Sequence, residues 1–289
     1  MRLSTSTNIY FNRPGGKKIS IVESMRACAA AGYRVMDLNF LDCTTFRLPF
    51  VTDCYMKWTE EIALAANGLQ IEFSQAHAPF YNVCDASFQD RDFLDKMILR
   101  AVECAGILKI KNLIIHAGTD YATTELVRAS KRKNREYFLP VIEYAQAHGV
   151  SLVFENLWDM NIRPLRRYTG NSEELVDFVD TLGAPVGICY DTDHATLMGQ
   201  SHTENLKLIG KRLVATHISD CISIECDHIL PYSGKTDWDE VTSALKSIGY
   251  TGDFTYEIHR YTQSLPDALV HSALVHSVAV GNHLISLCI

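Results

Sequence analysis

The sequence predicts a single α/β domain over residues 1–289, closed into one (β/α)8 TIM barrel. Three observations lead there. Eight short runs rich in β-branched and aromatic residues alternate with amphipathic segments along the whole chain. The 289 residues fit one large barrel, for which about 250 is typical. No glycine-rich phosphate loop follows the first run, as it would in an open doubly wound sheet; Gly15-Gly16 alone reads as a turn.

The strand runs are 6–11, 34–40, 69–77, 112–118, 150–157, 186–192, 213–219 and 254–259. Between them, segments such as IVESMRACAAAG, NREYFLPVIEYAQAHG and NSEELVDFVDTLG place apolar residues at i, i+3, i+4 and i+7, one stripe of a helix. Several stop at a glycine (Gly32, Gly149, Gly183, Gly249), the residue that best takes the left-handed position past a helix end. Asn171, Ser172 and Thr236 stand at helix-capping positions, with acidic residues in the turn that follows. Trp238 anchors the start of the seventh barrel helix, and the basic run 131–135 reads as a solvated helix start. Repeated strand–helix units imply right-handed parallel crossovers, and eight of them close a barrel.

Composition narrows the function. Hydrophobic residues at 47% and charged residues at 21% exclude disordered and fibrous classes. A net charge of −7 repels phosphate backbones, so nucleic acid is not the expected partner. The opening MRLSTSTNIYFNRPGGKK has no apolar signal core, and the apolar segment 272–289 carries two His, an Asn and a Gly. That segment suits a buried terminal helix better than a membrane span. Nine cysteines without a CxxC pair read as reduced thiols of a cytoplasmic protein.

Ionisable residues gather at the C-terminal ends of the strand runs, where barrel active sites form. His77 closes the third run, His116 lies near the end of the fourth, Glu155 ends the fifth and Asp191 the sixth, with His194 three residues on. His217 ends the seventh, His228 follows in its loop, and Glu257 lies near the end of the eighth. Buried carboxylates are costly unless paired or metal-bound, so a divalent metal site is expected. Glu155, Asp191, His217 and Glu257 make a one-nitrogen, three-oxygen set that suits Mn²⁺, Co²⁺ or Mg²⁺ about as well as Zn²⁺. Adding His77, His116, His194 and His228 moves the expectation towards Zn²⁺; whether those four bind metal or substrate stays open. His148, His202, His271, His276 and His283 fall on helices or their ends and read as packing or surface residues, while His259 shares a face with Glu257.

The pieces AHAPF, IIHAG, VFEN, YDTDHA, THISD, HILPYSGKTDW and YEIH, whose ionisable residues run in this order from 77 to 257, resemble the xylose isomerase-like TIM barrels. That superfamily holds sugar isomerases and epimerases together with apurinic-site nucleases of the endonuclease IV type. The resemblance implies a barrel with a divalent metal on Glu155, Asp191, His217 and Glu257, and homo-oligomers are common among such barrels. Two positions depart from the pattern. Many members carry Asp-x-His in the loop after the seventh strand, an Asp that the nucleases use in a three-zinc cluster; here Cys226 stands two before His228, with Asp227 between. Cys226 as a thiolate, or Asp227 on a bulged loop, could take that place. Ketose 3-epimerases of this kind carry an Arg six residues after the seventh-strand His, where this chain has Ser223, so a tagatose- or psicose-type substrate is not expected.

The expected activity is a metal-dependent isomerase or epimerase of a small sugar, sugar derivative or polyol. Glu155 and Glu257 would flank the substrate, one removing a proton beside a carbonyl and the other delivering it. His194 and His228 would bind hydroxyls, His77 and His116 would line the opposite wall, and Trp158, with Tyr10, Phe11, Phe80 and Tyr81, could stack on the substrate. The alternative is a zinc-cluster phosphodiesterase using His77, His116, His194 and His228, with Arg163, Arg166 and Arg167 near the phosphate. Those arginines could equally hold an anionic group of a small substrate. A non-catalytic sugar-binding barrel would lack Glu155 or Glu257, and both are present.

Overall fold

The computed structural model describes residues 1–158, 166–183 and 185–289. Its eight strands are β1 (Leu3–Ser6), β2 (Val35–Asn39), β3 (Glu72–His77), β4 (Asn112–Ile115), β5 (Ser151–Glu155), β6 (Gly187–Asp191), β7 (Leu213–His217) and β8 (Phe254–Tyr256). They run in the order β7-β6-β5-β4-β3-β2-β1-β8, and every paired neighbour is parallel. A parallel bridge between Ile218 and Tyr256 brings β7 to β8 and nearly closes the ring. The architecture is the (β/α)8 barrel that the alternating pattern predicts.

The helices are α1 (Ile21–Ala31), α2 (Phe40–Thr45), α3 (Tyr55–Leu69), α4 (Arg91–Ile107), α5 (Leu126–Ala147), α6 (Ser172–Thr181), α7 (Thr192–Leu197), α8 (His202–Ile209), α9 (Trp238–Ser247) and α10 (Asp267–Leu287). Local chemistry sets their ends. Ser20 and Glu23 form a reciprocal capping box on α1, which stops at Gly32 with φ 114°. Asn171 caps α6 by accepting from the Glu174 N–H at 2.9 Å, and Ser172 is the first helical residue behind it. For α9 the cap is Asp237, not Thr236; Thr236 instead donates its N–H to Asp220 Oδ1 at 3.0 Å, tying the preceding loop.

Two sequence expectations shift. The first strand is Leu3–Ser6, and the chain leaves it in a 3-10 turn over Thr7–Tyr10. The Ser6 side chain accepts the Asn8 N–H at 3.4 Å, so turn chemistry ends the strand. Ile9 and Phe11 are buried through that turn and not through strand alternation. The basic run 131–135 lies inside α5, five residues past its start. Its charges are used between elements: Lys131 reaches Asp177 at 2.6 Å and Lys133 reaches Asp120 at 2.9 Å.

The main core lies between the strands and the outer helices, and a second, smaller group inside the ring joins Ile114, Val153, Cys189 and Ala215. Beside it runs a polar layer: Gln75 Nε2 donates to Asp37 Oδ2 at 3.0 Å, and Thr255 donates to Gln75 Oε1 at 3.3 Å. Helix α10 is long and apolar enough to cross a bilayer by length and composition. It packs instead as the last outer helix, with Val270, Leu274, Ser277, Gly281 and Leu284 turned inward. A Cβ at Gly281 would lie 2.4 Å from Leu3 Cδ1, so glycine permits that close seat against β1.

Candidate active site and metal centre

Parallel strands in register bring their last residues to one level. His77, Glu155, Asp191 and His217 are the final residues of β3, β5, β6 and β7, and His116 and Glu257 each follow the last residue of β4 and β8. One ligand atom from each of Glu155, Asp191, His217 and Glu257 falls within a 4.8 Å cluster, and all four residues are buried. His217 Nδ1 lies 3.1 Å from both Glu155 Oε1 and Glu257 Oε2. Its other nitrogen faces Asp37 Oδ2 at 3.7 Å, the carboxylate–histidine pairing that orients a ligating imidazole.

The electrostatics divide the three carboxylates. Burial works against ionising each one. The imidazoles of His217 and His116 nevertheless hold Glu155 well below the usual carboxylate range, and His217, His228 and His77 bring Glu257 down to about 2. Asp191 goes the other way: burial, then the charges of Asp193 and Glu155, push its pKa well up. Its Oδ1 caps α7, accepting from the N–H groups of Asp193 at 2.9 Å and His194 at 3.1 Å, while Oδ2 is buried with no hydrogen-bond partner among the described residues. A dication fits this cage, because it supplies the charge that three crowded carboxylates lack and a bond for the orphaned oxygen.

Two further groups flank the cage. His77, His116 and Glu155 converge on one side, and Asp193, His194 and His228 on the other. Backbone carbonyls orient three of the rings: His77 Nδ1 faces Ala78 O at 2.9 Å, His194 Nδ1 faces Asn156 O at 2.8 Å, and His228 Nδ1 faces Glu257 O at 3.1 Å. Where Nδ1–H donates there, the ring keeps its Nε2 lone pair for a metal ion or a substrate hydroxyl; His77 Nε2 lies 3.4 Å from Glu155 Oε2 and His194 Nε2 3.9 Å from Asp193 Oδ1. His116 Nε2 lies 3.0 Å from Glu155 Oε2, and burial lowers its pKa to about 4. The His259 ring lies tilted against His228, centroids 4.5 Å apart; burial and that neighbour lower its pKa to about 3, and its Nδ1 has no hydrogen-bond partner among the described residues.

The other expected site residues fall as follows. Trp158 stands 6.2 Å from the His194 ring with Arg167 5.2 Å over its face, and Arg166 pairs with Glu174. Arg163 lies outside the described residues. Cys226 is half-buried in a turn with Ser223, and its sulfur joins none of the convergent groups among the described residues. Asp227 pairs with Arg260. Phe11 is fully buried against Phe46 and cannot reach a substrate. Phe80 stacks on His116 at 3.9 Å.

Residues 25–275 match the family described as xylose isomerase-like TIM barrel. The chain belongs to that family. An uncharacterised protein of Sinorhizobium fredii is 38% identical to this family member over 81 residues, 27% of this chain and 26% of that one. An inosose isomerase of Bacillus velezensis is 28% identical over 138 residues, 45% of this chain and 47% of the other. The chain spans 26% to 62% of the length of the curated relatives it matches. Among solved structures, a D-tagatose 3-epimerase-like protein superposes with a TM-score of 0.78 over 100% of this chain and 98% of that one, at 18% identity. That likeness is one of fold.

Four contributors to this family member's site escaped the sequence reading. Asp193 is fully buried, and its Oδ2 accepts the His228 N–H at 2.8 Å. Asn156 grips the Asp191 backbone twice, at 2.7 and 2.9 Å. Asp37 stands behind His217. Asp42, in the first turn of α2, has its pKa raised to about 6, by burial and then by Glu257. The Asp-x-Asp-His spacing of residues 191–194 is a signal for Asp193; Asp37 and Asp42 have none that distinguishes them from ordinary strand-core and helix-start acids.

Proposed function

We propose that this protein is a divalent-metal-dependent isomerase or epimerase of a small sugar, sugar derivative or polyol, working as a single-domain enzyme of the cytoplasm. The observation that carries the reading is the pair Glu155 and Glu257, two buried carboxylates drawn to the same His217 nitrogen and kept ionised by imidazoles. Glu155, Asp191, His217 and Glu257 would hold the metal, which when bound supplies Lewis-acid polarisation of substrate oxygens. One of the two ionised glutamates removes the proton from the carbon beside the carbonyl. The other, with no proton of its own, positions the water or substrate hydroxyl that protonates the opposite face, and the first glutamate then gives its proton to that oxygen. Their position on strands three steps apart in the ring lets them approach a substrate from separate directions. His194 and His228, pinned through Nδ1, accept hydrogen bonds from hydroxyls at Nε2, and Asp191 and Asn156 keep that wall rigid. The similarity to an inosose isomerase supports this class. Nine cysteines without a disulfide support a reducing compartment.

A second reading, a zinc-cluster phosphodiesterase, is favoured by one observation: the two flanking groups, with Asp193 supplying an acid beside His194 and His228. One experiment separates them. Metal is counted per chain by elemental analysis and located by anomalous scattering, and the loaded protein is offered ketoses, inososes, abasic DNA and small phosphodiesters. One ion on the central cage with interconversion of a ketose or inosose is the expected outcome. Two or three zincs with phosphodiester cleavage and no isomerisation would replace the first reading with the second.

A further inference from the structure

Beside the candidate centre, between the loops that follow β3 and β4 and the residues Leu157 and Arg167, lies a cavity of about 300 Å³, at the lower end of small-molecule pockets. Phe80, Tyr81, Phe88, Tyr121 and Leu157 line it, and His116 is its inner wall. It is continuous with the centre: Phe80 stacks on the His116 ring at 3.9 Å, and His116 Nε2 lies 3.0 Å from the Glu155 carboxylate.

Arg167 also lines the cavity, its guanidinium 5.2 Å over the Trp158 ring, and several of the other polar groups in this wall are already committed. Asn82 Oδ1 accepts the Thr119 N–H at 2.8 Å and the Cys84 N–H at 3.3 Å, and its Nδ2 donates to Thr119 O at 2.9 Å. The Tyr81 hydroxyl donates to Asp95 at 2.5 Å, and Thr119 Oγ1 accepts the Tyr168 N–H at 2.9 Å. What remains towards the space is largely ring face and aliphatic surface. A second hydroxylated ring placed there would give up hydrogen bonds to water without replacing them, whereas a flat apolar group would gain both buried area and aromatic contact.

We infer that the substrate is a polyol or sugar carrying an aromatic substituent: the polyol occupies the carboxylate centre and the aryl group fills this cavity. The inference rests on the isomerase reading for the polyol half and on the cavity alone for the aryl half.

The test is isothermal titration of the Mn²⁺-loaded protein with phenyl and methyl glycosides of glucose, galactose and mannose, and with phenol, for the wild type and for Phe88→Ala and Tyr121→Ala. Phe88 is 37% exposed, so its truncation leaves the core intact, and circular dichroism checks both variants. A phenyl glycoside binding at least tenfold more tightly than its methyl counterpart, with that preference cut at least threefold by either substitution, is the expected result. Equal binding of the pair, or a preference that survives both substitutions, overturns the inference while leaving the polyol reading standing. If no glycoside binds but phenol does, and both variants weaken it, the cavity's aromatic preference holds and the polyol half is overturned. If phenol does not bind either, the aryl half is overturned as well.

Discussion

At the N-terminal ends of the strands, Arg2, just ahead of β1, reaches Glu72 on β3 and Asp253 ahead of β8. It holds each carboxylate with two guanidinium nitrogens, at 2.7 and 3.1 Å and at 2.9 and 2.8 Å. At the C-terminal ends, Glu155, Asp191, Asp193 and Glu257 crowd together among five histidines, and Asp191 Oδ2, Asp193 Oδ1 and His259 Nδ1 are buried with no hydrogen-bond partner among the described residues. Cavity size does not separate the two ends. The opening beside Arg2 is about 450 Å³, larger than the aromatic one beside His116, but the Arg2, Glu72 and Asp253 charges along it are already matched to each other. Completed pairing serves the fold. Unfinished pairing among buried groups costs stability unless a ligand finishes it, which is why the C-terminal end is the candidate functional one.

Experiments can break this contrast, the largest effect first. Glu155→Gln should lower turnover in the isomerisation assay by about a thousandfold, the scale of a lost general base, with the circular dichroism spectrum unchanged. Activity above a few per cent of wild type would remove Glu155 from proton transfer. Next in size is metal addition to chelator-stripped protein. Mn²⁺ or Zn²⁺ at about a thousand times its dissociation constant contributes about 4 kcal/mol, roughly a 10 °C rise in Tm for a domain of this size. Asp191→Asn should remove at least half of that rise, and a full rise in the variant would place the metal elsewhere.

A smaller effect is expected from pH. Burial lowers the folded-state pKa of His116 from 6.5 to about 4. Between those values the unfolded chain takes up a proton that the native chain refuses, so the His116 contribution is intact above about pH 6.5 and falls away as the pH drops towards 4. In metal-free protein, the stability of wild type relative to His116→Asn should therefore decline across that window in urea titrations. A difference independent of pH would contradict the neutral, buried ring. Smallest of all, Arg2→Ala should cost about 0.5–1 kcal/mol, because the Arg2 side chain is 51% exposed and water screens its pairs. Metal content should not change; loss of metal in Arg2→Ala would erase the distinction between the two ends.

Strand period and residue type carried most of the architecture. Runs such as 34–40 and 213–219 are legible because β-branched side chains between turn signals have few other uses, and the actual β2 and β7 lie inside them. The run 6–11 misled because burial of Ile9 and Phe11 looks the same in sequence whether a strand or a 3-10 turn delivers it. The eight ionisable positions at strand ends could be read because a closed parallel barrel allows only one end to collect them. The spacing of residues 191–194 singles out Asp193, but its role was not legible, since its partner His228 arrives from a loop 35 residues later.

Sequence alone therefore determined the barrel, its polarity and the carboxylate–histidine set of its mouth, because local periodicity and crossover handedness leave few other ways to bury these segments. Only the tertiary structure decided which of those groups meet, which oxygens are left unpaired, and that Phe80, Phe88, Tyr121 and Leu157 enclose a cavity beside them. Those outcomes depend on distances between loops far apart along the chain, and no local pattern of residues encodes such distances.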